Sequence, residues 1–363
     1  MNVWLIESRL PATLKPQAAK IVAISFRLLR RAAGFLFMAS LSIVAVVLRR
    51  RVVIIVTPFG NLGNRLFLYA NIIAFAIEQK AIVINPAFHP WRAVFAGTRA
   101  GGVACYPPPN LPYLPGNWLE TSLQHLAWVG LSIASSSHSP SQWGAISIDG
   151  IERLELDQSN FVEWANNKHV ILLSGWLMIS SVSMERHADK IRAYFKQILG
   201  NTPEALAPVN RLRQSCDLVI GVVIRHGGFD QWMGGKYYFE TATYIEWIKQ
   251  TARLYPHQRV GFFVCSDEEL NLENLNDICY EFRGRSDLEN RAALSQCDMI
   301  LSPPSSFAGW AAFMGNSPFQ LLHSPSQTIS RQGFIRIRNH MDMRDASYPP
   351  DLDLTDSLIA PRA

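Results

Sequence analysis

The stretch DLVIGVVIRHGGFDQWMGGKYY, Asp217 to Tyr238, decides the fold. Leu218 to Ile224 form an unbroken apolar run rich in β-branched residues, the pattern of a strand buried on both faces of a parallel sheet. Arg225 follows at once. Behind it His226, Gly227, Gly228, Phe229 and Asp230 open a glycine-rich loop that runs on through Gly234, Gly235 and Lys236. In open α/β sheets ligands bind beyond the carboxyl ends of the strands, and a guanidinium fixed there suits bidentate contact with a phosphate. An arginine that merely caps the strand and pairs with a carboxylate fits the same residues.

Outward from this strand, composition sets the scale. The chain has 363 residues, 48% hydrophobic and 17% charged, enough for two packed domains and against a largely disordered protein. A net charge of +5 and a pI near 9.0 suit a phosphate-rich ligand or an anionic membrane surface, and no nucleic-acid partner is required. Cys105, Cys216, Cys265, Cys279 and Cys297 lie far apart with no C-x-x-C pair, so neither a metal site nor a disulfide framework is indicated. A reducing compartment is the simpler assumption.

The first fifty residues are basic and apolar together. Lys15, Lys20, Arg27, Arg30 and Arg31 precede the uncharged run Ala33 to Leu48, and Arg49, Arg50 and Arg51 close it. A helix over that run reaches about 24 Å, short of a hydrocarbon core of about 30 Å. With no small-residue cleavage site and positive charge on both sides, the segment reads as a helix at the membrane surface, on the cytoplasmic face, its arginines at anionic headgroups. A single-pass anchor and a helix buried in the protein are the alternatives.

After it, Val52 to Val56 is a strand, Gly60 to Arg65 a glycine loop, and Leu66 to Glu78 a helix by its apolar spacing. Glycine there permits a tight turn, and the helix start offers N–H groups to an anion. No Gly-Lys-Ser/Thr follows, so this is not a Walker loop. Ala81 to Ile84 and Val170 to Ser174 are further strands, while Val103 to Ser147, rich in Pro, Ser and Trp, reads as irregular structure. Thr202 to Gln214 is the expected crossover. Beyond it come a helix over Thr243–Leu254, a strand over Val260–Cys265 ending at Ser266 and Asp267, and a helix over Leu288–Ser295. A strand at Met299–Leu301 then leads to Ser305, Ser306 and Phe307, which open a last helix with a second anion cradle. The pattern predicts two doubly wound Rossmann-like domains facing a cleft: 1–50 membrane-associated, 51–205 and 206–345 as the domains, and 346–363 a tail.

Taken together, these segments resemble the α-1,2-fucosyltransferase family within the wider fucosyltransferase superfamily. Asn61, Leu62, Gly63, Asn64, Arg65, Leu66, Phe67, Leu68, Tyr69 and Ala70 are similar to its Gly-Leu-Gly-Asn-Gln loop and the segment after it. Gly175, Trp176 and Leu177 loosely match its Gly-Tyr/Trp-Phe/Trp-Gln segment, and Val223 to Gly228 its His-x-Arg-Arg-Gly-Asp motif. Ser266 and Asp267 match its Ser-Asp, while Cys297, Asp298 and Ser305 to Ala311 resemble its Cys-Asp and Ser/Thr-Phe-Ser-Trp-Trp segments. The matches run in order from about 50 to 315.

The resemblance implies a B-type glycosyltransferase that transfers fucose from GDP-fucose with inversion, without an obligatory metal or other cofactor, to a glycan or lipid-linked glycan hydroxyl. It implies that Arg225 holds the β-phosphate and stabilises the leaving diphosphate, and that Asn64, with Arg65 beside it, approaches the sugar or diphosphate. Asp267 would accept from guanine, and Ser305, Ser306 and Phe307 would close on the diphosphate. The chain departs from the motif at four places: Val223 stands for the histidine, His226 for the second arginine, Gly228 for the aspartate and Arg65 for the glutamine. Asp230 is then the candidate for the missing carboxylate or for the general base. A non-catalytic glycan- or nucleotide-binding relative, or an enzyme for another nucleotide sugar, are the competing readings.

Overall fold

The chain's apolar runs do become strands, and they assemble into two sheets. The computed structural model describes residues 15–148, 153–275 and 277–343; the expected tail, 346–363, and the first fourteen residues lie outside the described residues. The first sheet has five strands: β1 (Val52–Ile55), β2 (Ile82–Ile84), β3 (Cys105–Tyr106), β4 (Trp143–Ser147) and β6 (Val170–Ser174), in the order β3-β2-β1-β6-β4. A small parallel pair, β5 (Leu154–Glu155) and β7 (Met178–Ile179), lies beside it. The second sheet is built from β8 (Leu218–Ile224), β9 (Val260–Ser266), β10 (Cys279–Arg283), β11 (Met299–Ser302), β12 (Pro318–Leu321) and β13 (Ile335–Arg336), in the order β10-β9-β8-β11-β12-β13. In each sheet one edge strand, β3 or β13, runs antiparallel and the rest are parallel. The continuous apolar runs 52–55, 170–174 and 219–224 are buried throughout, as strands covered on both faces must be. This is the doubly wound α/β architecture the alternation predicts.

The longer helices are α1 (Lys15–Leu48), α2 (Leu62–Glu78), α3 (Trp118–Ala134), α4 (Pro203–Ser215), α5 (Thr241–Arg253), α6 (Asp287–Leu294) and α7 (Ser306–Gly315). β9 and β11 each extend one residue past the expected end, so Ser266 and Ser302 sit inside the sheet, Ser266 in register with Ile224. Helix α2 is buried from Leu66 through Ala76 because it is gripped from both sides. Phe67 meets Trp310 of α7 edge to face at 5.1 Å, and Phe195 meets the same indole at 5.2 Å. Tyr69 shares a 2.8 Å hydrogen bond with Tyr194, whose hydroxyl donates to the Cys105 carbonyl. The Asn71 side-chain carbonyl accepts from Asn339 and from the Ser180 amide, 2.7 and 2.8 Å away. One apolar cluster thus runs from the first sheet to the second. Each fully buried aromatic adds about 1.5–3 kcal/mol, so this seam holds the two sheets as one body.

Two expectations are corrected. The helix expected from Leu66 begins at Leu62, so Gly63, Asn64 and Arg65 form its first turn and not part of a loop. Residues 103–147 are not irregular throughout: Trp118–Ala134 is a 17-residue helix, followed by β4. Leu119, Leu123 and Leu126 to Ile133 carry a helical apolar spacing that the flanking prolines and serines mask. The proline-rich loop before α3 is pinned by Arg92, which donates to the carbonyls of Gly101 (2.8 Å), Leu114 (2.7 Å) and Gly116 (3.2 Å) and lies 3.0 Å from the Glu120 carboxylate. Both ends of this ion pair are enclosed, and burial raises the Glu120 carboxyl pKa against the pull of Arg92. Such a pair fixes a geometry more than it stabilises it.

Helix α1 is longer than its uncharged run and lies against the protein on one face. Val129 of α3 occupies the space a Gly34 side chain would need, Met38 and Ala45 are buried, and the Trp143 indole donates to Ser42 Oγ at 2.8 Å. On the other face Leu36, Ile43, Val46 and Val47 are exposed, as are Ile24, Phe26, Leu28 and Leu29 further back. The segment Ala23–Leu48 is long and apolar enough to cross a membrane, with only 17% of its most apolar window covered by protein.

Candidate functional site

Strand order reverses between β8 and β11 in the second sheet and between β1 and β6 in the first, and crevices for ligands open beyond such points. Arg225 stands at the carboxyl end of β8. Its guanidinium, about a quarter exposed, lies 3.4 Å from Asp267 and 5.2 Å over the Phe229 ring. Asp267 also accepts from the backbone N–H of His226 (3.1 Å) and of Gly227 (3.2 Å), so its two oxygens hold the start of the loop and the base of Arg225 together. Among the described residues Asp267 is therefore the carboxylate that orients Arg225, and Asp230 lies exposed on the loop without reaching it. His226 turns inward: one ring nitrogen is 3.0 Å from the Phe239 carbonyl and the other 3.3 Å from Glu268. It shapes the loop rather than lining the crevice.

Beyond β11, the strand paired with β8, two helices begin at nearly the same point. A side-chain carbon at Gly63, in the first turn of α2, would stand 2.6–2.8 Å from Ser306 Oγ and from the Ser306 backbone carbonyl, in the first turn of α7. Only glycine allows that approach. Neither Asn61 nor Ser305 caps its helix with its side chain, and neither helix has an acidic residue in its first turn. Two uncapped, uncompensated helix starts therefore converge, each with unpaired N–H groups and the positive end of its dipole. Ser305 is nearly buried, while Ser306 and Phe307 are part exposed at the same place.

On the loop of the first sheet, Gly60 has φ +64°, and the Asn64 amide folds over it, 2.5 Å from where a side-chain carbon would stand. Arg65 reaches the other way, donating to the carbonyls of Gly60 (3.0 Å) and Ala87 (3.3 Å); burial lowers its pKa from the usual value, yet it remains a cation. It lines a small cavity with Thr57, Asn85 and Phe88, and among the described residues the enclosed Asn85 Oδ1 has no hydrogen-bond partner. Phe59 and Trp176 stack nearly coplanar at 5.3 Å beside the carboxyl ends of β1 and β6. Nothing in the local sequence around Asn85 or Phe59 marks them, since both owe their position to pairing of distant strands.

The site residues expected from sequence thus fall into three groups. Arg225, Ser305, Ser306 and Phe307 sit at the carboxyl ends of the second sheet's strands, and Asn64 and Arg65 in the first turn of α2, which meets Ser306 through Gly63. Asp267 and His226 support the loop after β8. Asp230 stands apart. Arg225 and the two helix starts supply positive potential suited to a compact polyanion such as a diphosphate, while Arg65 is turned away onto the Gly60 and Ala87 carbonyls.

No protein-family model matches the chain, and no curated protein does. Among solved structures it is similar to a mutant of Arabidopsis thaliana FUT1 in complex with GDP, at 14% identity and a TM-score of 0.48, over 78% of this chain and 73% of that one. NodZ alpha-1,6-fucosyltransferase soaked with GDP-fucose is similar at 14% identity and 0.42, over 77% of this chain and 97% of its own. POFUT1 in complex with GDP-fucose is similar at 10% identity and 0.42, over 76% and 97%. At these scores the neighbours carry no weight for function, which has to come from the chain's own residues.

Proposed function

We propose that the chain is a glycosyltransferase that moves a sugar from a nucleoside-diphosphate donor, GDP-fucose above all, onto a hydroxyl of a glycan or lipid-linked glycan, with inversion. The observation that carries this reading is the convergence of the α2 and α7 starts, without acidic residues, at the strand-order reversal between β11 and β8, the strand that Arg225 ends. The half built on residues 206–345 would take the donor, and the half built on 51–205 the acceptor, with the Phe59–Trp176 pair offered to a sugar face. In the reaction the acceptor oxygen bonds to the anomeric carbon from the side opposite the diphosphate as the bond from that carbon to the phosphate oxygen breaks. Arg225 and the helix N–H groups stabilise the charge that gathers on the departing diphosphate. The acceptor's proton leaves to a base, for which Asp230 on the glycine loop is the nearest uncommitted carboxylate in sequence.

A second reading, a different nucleotide sugar, has a specific observation behind it. Val223, at the motif's histidine position, is buried in the sheet, and Asp267 is engaged by the backbone, so neither presents a free polar group to guanine. Calorimetric titration of the full chain in detergent with GDP, UDP, ADP and their sugars separates the two. GDP and GDP-fucose binding at least tenfold tighter than the others is the expected result. Preference for another base moves the donor, and a folded protein that binds none of them overturns the enzyme reading in favour of a non-catalytic relative.

We also propose that the outer face of α1 lies in the membrane interface on the cytoplasmic side, with Arg27, Arg30, Arg31, Arg49 and Arg50 at anionic headgroups, while Arg51 is held against the protein by Gln79 and Asn166. The one-sided docking of α1 supports an in-plane helix over a free span. Co-sedimentation is expected to be stronger with anionic than with neutral vesicles and weaker in high salt. Equal binding to both lipids would remove the arginines from this account.

A further inference from the structure

Resting on the nucleotide-sugar reading, we infer that Arg291 is a second cation of the anion site, a guanidinium held behind Phe307 to meet the donor's diphosphate. Arg291 lies in the middle of α6 and is 4% exposed. Among the described residues its Nε and Nη1 have no hydrogen-bond partner, and its guanidinium carbon sits 5.1 Å over the Phe307 ring. Among the described residues the acidic group that acts on it electrostatically is Asp287, an exposed residue one turn earlier on the same helix. Burial pushes its pKa down to about 10, which still leaves it charged at neutral pH.

A buried cation without an anion is far more costly than a ring contact returns, and native proteins rarely leave one so. Its direction says which anion it waits for. Helix α6 starts just past the carboxyl end of β10 and ends near the amino end of β11, so its N-terminal side faces the crevice. Side chains on a helix lean toward its N-terminus, which carries the Arg291 side chain toward the first turn of α7. Phe307 in that turn is the residue it touches. The motif's second arginine is His226 here, and His226 is turned inward on Phe239 and Glu268. Arg291 brings a guanidinium to the same crevice from a different element.

The test uses the full chain in detergent with inorganic pyrophosphate and GDP as probes, comparing Arg291→Met, Arg291→Lys and Arg225→Ala with the unaltered protein. A Met side chain fills similar space without charge, so Arg291→Met is expected to melt at or above the temperature of the parent. Its pyrophosphate affinity is expected to fall roughly tenfold or more, with Arg291→Lys between the two. Pyrophosphate binding unchanged in Arg291→Met, or a large loss of heat stability in both Arg291 variants, would overturn the inference and assign the residue to packing. If GDP binding depends on Arg225 but not on Arg291, this inference falls and the nucleotide reading stands. If pyrophosphate binding needs Arg291 while GDP binds no better than pyrophosphate, the anion site stands and the nucleotide reading falls. A parent protein that binds neither probe overturns both.

Discussion

Arg225→Ala is expected to lower the turnover of sugar transfer by about a thousandfold or more while leaving the fold intact. One preorganised donor aimed at developing charge is worth about 10²–10³ in rate, and a guanidinium on a departing diphosphate supplies two donors and a full charge. The fold should survive because the side chain is partly exposed and because Asp267 keeps its two backbone donors, His226 and Gly227, when Arg225 is gone. Arg225→Lys is expected to recover only a small part, since an ammonium is a point charge without the planar fork. Steady-state kinetics beside a thermal melt decides the matter. Ordinary turnover in a folded Arg225→Ala protein would sink the assignment of the site.

Gly63→Ala is expected to act in the direction opposite to the usual helix substitution. Replacing glycine by alanine inside a helix ordinarily stabilises by about 0.4–1 kcal/mol. Here the new carbon would stand 2.6–2.8 Å from Ser306 Oγ, carbonyl carbon and carbonyl oxygen, and the two backbone atoms cannot swing away as a long side chain can. Overpacking of this kind costs about 1–3 kcal/mol, and relieving it separates the starts of α2 and α7. The expected result is a lower melting temperature together with a nucleotide affinity reduced by roughly ten- to a hundredfold, because the N–H groups no longer address one anion. A variant that melts higher and binds GDP as before would show that the two helix starts do not form one site.

The sequence is most informative where fold and site are local. The run 218–224 with Arg225 behind it, the strand, glycine loop and helix over 52–78, and the serines opening α7 are each short segments whose apolar period and turn residues speak for themselves. The structure finds all three, with Gly63 against Ser306 and Arg225 at the end of β8, next to the strand that leads to Ser306. What stayed hidden depends on contacts between distant segments. That Gly63 touches Ser306, that Asp267 grips the loop after β8, and that Arg291 is buried against Phe307 are facts about packing across the sheets, for which no periodicity exists. Helix α3 was masked for another reason: its apolar spacing is interrupted by Glu120 and His125 and bordered by prolines and serines, and Glu120 is inside because Arg92 meets it there.

The way α1 lies on the first sheet limits how the protein can be shortened for study. Cutting at residue 50, where the basic, apolar opening ends, would strip Met38, Ala45 and the Ser42 hydroxyl from α3 and Trp143, uncovering Ala127, Val129 and Leu131. A chain trimmed that far should aggregate for want of part of its own interior, whatever its relation to lipid. Trimming that stops before Gly34 keeps every one of those contacts, removes the exposed side chains from Ile24 to Leu29 and all of Arg27, Arg30 and Arg31, and leaves the sheet covered.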